Sequence, residues 1–363
     1  MSECQLRDRI NANHCPDGAK TIEIRARNRI RSLVFPEDGR HLLSADDEGM
    51  IRRWRCEDGR EVGEATRTSS GLITAMALSG DGNWIVSSGW QVANVLSRKS
   101  QACFTVSAHT DWVDTVHVSP DSTQFATGAN DKEAFIWDIL TGKQLVGPLD
   151  HDDRVRTVRF SPTGDRIATS SKHLRIYDAR NGDLLNTITV SGTTSYASSS
   201  LIAWSGVQNV FAFSSPTTLS HIHVNAKQTL FSCTIPNEPS NFGYIVLSSN
   251  GRFIASFVGR SISLWDTSTY AQLSSVIQHS APIWSLALSL DNQYLATSDA
   301  NGIITLRNLT YIIPSYYLVS ERVVQQFQAG SGADLQLQTE APCGELRTSE
   351  LHLGEFSGNP IFP

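Results

Sequence analysis

His109, Thr127 and Asp131 are residues whose types could do covalent chemistry together. A hydroxyl, an imidazole and a carboxylate are the parts of an acyl-transfer relay, in which the base takes the proton of the attacking oxygen. Such a relay needs an exposed, activated oxygen. A second candidate set is His221 and His223, which alternate on one β-type run and so share a face. Two histidines at that spacing can begin a zinc site, but no nearby Cys, Asp or third His completes it. They are expected instead on the surface or along a channel. The Asp-Gly and Asn-Gly pairs at 58–59, 81–82, 181–182, 250–251 and 301–302 read as turns between strands, not phosphate loops. Neither a Gly-x-x-x-x-Gly-Lys-Ser/Thr loop nor a dinucleotide fingerprint occurs. No metal and no cofactor is expected.

Bulk properties narrow the class further. Of 363 residues, 40% are hydrophobic, enough for a sizeable core, and 18% are charged, below the usual quarter or so. The formal net charge of −6 argues against nucleic acid as a partner. The six cysteines form no Cys-x-x-Cys pair and so no metal signature or dense disulfide frame. The chain opens Met-Ser-Glu-Cys-Gln without an apolar signal segment, and no run is long enough for a membrane helix. The expectation is an intracellular protein, cytoplasmic or nuclear, that does not bind membranes.

The elements that must position the candidate residues are short β-type runs between turn clusters. From His109 the chain reads His-Thr-Asp-Trp-Val, then Thr115 to Asp121, Phe125 to Asp131 and Phe135-Ile-Trp-Asp138, with a fourth run from Lys143 to Val146. Such a four-strand unit cannot bury both faces alone. Equivalent closing positions recur at Trp54, Val95, Trp137, Tyr177, His223, Trp265 and Arg307. The steps are 41, 42, 40, 46, 42 and 42 residues, a propeller period. The long step predicts an insertion near 192–200. Thr21 to Arg27 alternates as a spare half-buried strand, while Pro314 breaks the chain after the third strand of the seventh unit.

The segment from His109 to Asp138 resembles a WD-repeat unit, with a His near its start and Trp-Asp at its end. The resemblance covers roughly residues 20 to 318. It is specific in units one, three, four and six and weak in two and five. It implies an all-β, seven-bladed β-propeller closed by the N-terminal strand. The expected organisation is a flexible N-terminus over 1–18, the propeller over 19–318 and an acidic, mostly disordered tail over 319–363, with a short helix expected over 320–327. It also implies that His109, Thr127, Asp131 and Trp137 form a structural network, the His meeting the turn Asp and the indole reaching the hydroxyl. In unit one Glu48 stands for that Asp, and in unit seven Asn301 does.

The remaining candidates are surface residues. Aligned on the family, the loops entering the inner strands place Arg29, Arg31, Trp112, Asp114, Arg154, Arg156 and Trp284 around one mouth of the central channel. Trp284 is expected to adjoin unit one, and Trp112 unit four. Arg beside Trp is the composition of interface hot spots. The expected function is a non-enzymatic interaction scaffold or adaptor, a single propeller within a larger complex, binding other proteins or peptides. Two alternatives are a reader of acidic or phosphorylated peptides through these arginines, and an enzyme acting in the channel. The enzyme would need inward acids from several units, and Asp114 is the only acid at the aligned positions.

Overall fold

The computed structural model describes residues 21–68, 71–100, 102–189, 201–215, 218–234 and 243–319. The expected N-terminal arm, the insertion near 192–200, the helix over 320–327 and the tail from 320 lie outside these residues.

The described residues form seven antiparallel sheets of four strands each. In blade three the strands are Val113–Val118, Gln124–Ala129, Glu133–Asp138 and Gln144–Asp150, paired in that order. Phe125 to Ala129 and Ala134 to Trp137 are buried at every position, so the middle strands read as unbroken runs of apolar and small residues, as suits strands covered on both faces. Blade five, the poorest match to the repeat, still has its strands at Ile202–Ser205, Asn209–Ser215, Thr218–His223 and Gln228–Thr234. The innermost strand of each blade packs against the innermost strand of the next, and those of blades seven and one also meet, so the sheets form a ring. Blade seven consists of Ile283–Leu288, Tyr294–Asp299, Ile303–Asn308 and the N-terminal strand Thr21–Arg25. Thr21 stands opposite Arg307, and Arg25 opposite Ile303.

Seven apolar clusters fill the seven gaps between neighbouring sheets. Ile30, Leu33 and Leu42 of blade one meet Ala287, Ala296 and Leu306 of blade seven. Phe125, Phe135 and Trp137 of blade three meet Val86, Val95 and Val106 of blade two. A sheet buried on both faces needs such layers on each side, which is why the repeats cannot stand alone. In blade two the register puts Leu96, one residue beyond the expected Val95, at the missing Trp position. It stands opposite Ile85 as Trp137 stands opposite Phe125, and packs toward blade one without the indole's polar contact.

Turns obey the glycine signals. Gly59 has φ of 71°, and a Cβ there would lie 2.7 Å from Ile22 of the N-terminal strand. Gly142 has φ of 67°, and its Cβ would lie 2.7 Å from Phe104 of the preceding blade. At both places the left-handed backbone and the close approach of the next sheet require glycine. Beyond Asn308 two 3-10 turns, Leu309–Tyr311 and Ser315–Tyr317, carry the chain under blades seven and six. Asn250 donates to the Tyr317 carbonyl at 2.7 Å and Arg252 to that of Tyr316 at 2.6 Å. No helix among the described residues is long and apolar enough to cross a membrane.

Candidate functional site

The His109 set comes together as a hydrogen-bonded chain. The Trp137 indole N–H donates to the Thr127 hydroxyl oxygen at 2.9 Å. An indole can only donate, so the Thr127 proton is left to His109 Nε2 at 2.8 Å. His109 Nδ1–H then donates to Asp131 at 2.9 Å, and Asp131 also accepts the amides of Thr110 and Glu133. The order of atoms is that of a hydrolase relay, but Thr127 is 0% exposed. Its oxygen is between sheets, where no substrate carbonyl can approach. His109, Asp131 and Glu133 also bring ligand-type atoms within 4.8 Å of one another. Both imidazole nitrogens are already engaged, so no lone pair is left for an ion.

Other blades carry parts of this chain. Trp54 donates to Ser44 at 2.8 Å in blade one. His151 Nε2 meets Thr169 at 2.8 Å and His279 Nε2 meets Thr297 at 3.1 Å. The acid expected at Glu48 and Asn301 is supplied two residues earlier in both blades. Asp46 accepts the amides of Glu48 and Met50 at 3.1 and 2.8 Å, and Asp299 those of Asn301 and Ile303 at 2.9 and 3.0 Å. Aligning on the closing Trp hid these residues, because they end the second strand rather than begin the turn.

Of the histidine pair of blade five, His221 is buried rather than at the surface or along the channel as expected, while His223 is partly exposed. Both lie on the third strand, Thr218–His223, two strands out from the channel. His221 is buried, stacked on Phe211 at 4.1 Å and bonded to the Tyr270 hydroxyl at 2.9 Å. His223 meets Gln208 at 3.2 Å.

The strands' polarity gives the ring two faces, and we call the face where inner strands begin the upper one. Arg29, Arg31, Trp112, Asp114, Arg154, Arg156 and Trp284 all belong to it. The Arg31 guanidinium lies 4.0 Å from the Trp284 ring centroid and that of Arg29 5.7 Å. Burial lowers the Arg31 pKa from its ordinary value; Asp47 opposes this, and Arg29 adds to it. Arg31 Nε is buried without a hydrogen-bond partner, and Arg29 is exposed.

Blade four presents a different arrangement. Arg156 forms an ion pair with Asp114 at 3.0 Å. Burial raises the Asp114 carboxyl, and Arg156 counters that. Arg154 stays exposed, its amide capped by Asp153 at 2.8 Å. Trp112 turns toward blade two rather than blade four and packs edge-to-face on Trp90, with centroids 5.0 Å apart. Trp90, 47% exposed, was missed in the sequence. Its signal was Gly89-Trp90, a large aromatic in a hairpin turn with nothing nearby in sequence to cover it.

The WD domain, G-beta repeat family model matches residues 20–55, 62–91, 100–138, 143–178 and 271–308. These segments fall in blades one to four and seven, so the divergent second repeat is matched and the sixth, despite Trp265-Asp266, is not. Among curated proteins the chain is 28% identical to Protein groucho of Drosophila melanogaster over 43% of this chain and 22% of that protein. It is 33% identical to WD repeat-containing protein 1 of Gallus gallus over 44% of this chain and 28% of that protein. It is 39% identical to WD repeat and SOCS box-containing protein 1 of Danio rerio over 17% of this chain and 15% of that protein. The chain thus spans less than a third of the length of each of these relatives. With seven four-stranded blades in a ring and five matched repeats, the chain belongs to the WD-repeat family.

Proposed function

We propose that this propeller is a non-enzymatic interaction scaffold, and that its upper rim at the junction of blades seven and one takes an acidic or phosphorylated peptide. The observation that carries this is Arg31 stacked on Trp284 with Arg29 exposed beside the same ring. Stacking holds the guanidinium plane in place and leaves its edge N–H groups free to pair bidentately with a carboxylate or phosphate. A cation partly removed from water also gains more from an incoming anion than a solvated one. Arg156, by contrast, already holds Asp114, so blade four offers a weaker attraction. Trp90 and Trp112 add an aromatic surface on the same face for a neighbouring apolar side chain of the partner. An intracellular setting within a larger complex fits this reading.

The test is recovery of an immobilised acidic peptide and its phosphorylated form by the full chain, at low and moderate salt. The Arg29→Ala/Arg31→Ala double variant should lose recovery, and Arg154→Ala/Arg156→Ala should keep most of it. Equal recovery by wild type and both folded variants would remove the site.

A further inference from the structure

The lower half of the channel is built differently from the upper rim. It holds a cavity of about 470 Å³ among the last residues of the inner strands and the turns that follow them. Val34, Leu78, Val246 and Leu288, from four different blades, give it an apolar wall. Pro120, Pro162 and Leu290 belong to the turns below and place its mouth on the lower face.

Arg159, Tyr244 and His117 interrupt that wall, with Ser161 beside the lower turn. Arg159 donates to the Val158 carbonyl at 3.0 Å and hydrogen-bonds with the Tyr244 hydroxyl. The Phe160 amide donates to His117 Nδ1 at 3.2 Å, which puts the proton of the neutral ring on Nε2. Burial and the Arg159 charge keep that ring neutral, its pKa well below the ordinary value. Guanidinium, phenol and imidazole N–H are all donors, and no Asp or Glu is among the described residues lining the cavity.

We propose that this cavity binds a small monocarboxylate with an apolar body, its carboxylate on Arg159 and Tyr244 and its chain along Val34, Leu78, Val246 and Leu288. The size is that of small-molecule sites, and the composition is mostly apolar with a few convergent polar groups. One guanidinium matches one negative charge. A phosphate dianion would bring a second charge into an apolar wall that cannot solvate it. A peptide would bring amide groups with too few partners there. An amine would meet the Arg159 charge. The site lies at the opposite end of the channel from the peptide-binding rim and stands or falls independently of it.

Decanoate titrated into the full-length protein tests this, by calorimetry and by the fluorescence of Trp204, which lines the cavity. Decylamine and inorganic phosphate serve as comparison ligands. The expected result is saturable one-to-one binding of decanoate, with phosphate and decylamine much weaker. Arg159→Met keeps the side chain's bulk without its charge and should weaken decanoate roughly tenfold or more. Ala77→Phe narrows the cavity while keeping Arg159, and should do the same; it decides alone if Arg159→Met does not fold. Absence of saturation, decylamine binding as tight as decanoate, or unchanged binding by the folded variants would overturn the proposal.

Discussion

The Ser285 hydroxyl of blade seven accepts the Leu33 amide of blade one at 3.1 Å, across 252 residues of sequence. The same relation recurs between other neighbours. Ser32 accepts from Met76 at 3.1 Å, Thr115 from Val158 at 3.3 Å and Thr157 from Leu201 at 2.9 Å. Each hydroxyl satisfies a buried amide in, or just ahead of, the inner strand of the next blade. Ser285→Ala should therefore cost about 1–3 kcal/mol of stability, since it leaves the Leu33 N–H buried without an acceptor. Urea unfolding against wild type measures it, and an unchanged midpoint would show that the amide finds another acceptor.

The N-terminal strand should matter to the whole ring. Thr21–Arg25 pairs along Ile303–Arg307, with Ile24 buried against blades seven and one. A chain lacking residues 1–27 exposes that edge and the apolar surface beneath it, and should melt at least about 5 °C lower. Scanning calorimetry of the truncated and full chains checks this.

Asp131→Ala should destabilise without removing a separable activity. The carboxylate accepts the buried His109 ring and two turn amides, so its loss leaves the imidazole N–H unmet and the turn uncapped, at a cost of about 1–3 kcal/mol. A variant of wild-type stability that had lost a measurable turnover would contradict the structural role of the network.

Acid should weaken the fold before the carboxylates titrate. Burial, with Arg175, lowers His151 to about 4, and burial, with Arg307, lowers His279 to about 4. The unfolded chain, near 6.5, then binds more protons than the folded one between pH 6.5 and 4, so stability is full above that window and falls as pH drops through it. For His151 the loss is on the order of 2–3 kcal/mol, and for the less buried His279 it is smaller. Urea midpoints at pH 7, 6, 5 and 4.5 should fall for wild type and fall less for His151→Gln.

The repeat period, the three inner strands of each blade and the turn glycines were legible in the chain. These depend on local alternation and on backbone angles that only a few residue types accept. Even blade five kept its strand runs after losing its closing Trp. The spacing of seven closing positions is also enough to give the number of sheets, because each unit must cover its neighbour's apolar face.

Charge partners and exposures were decided by the ring. Arg31 and Arg156 occupy equivalent positions and read alike, yet one stacks on Trp284 of blade seven and the other is neutralised by Asp114 of blade three. Each meets a residue contributed by another blade, and alternation along one strand cannot say which side chain the neighbour puts opposite. Arg159, His117 and Tyr244 escaped notice for the same reason. Period-two alternation gives a strand two faces, and only the closed ring lets side chains of different blades meet in the channel. Ser285 and Leu33 meet because the last blade packs beside the first, a contact that no local pattern in either stretch contains.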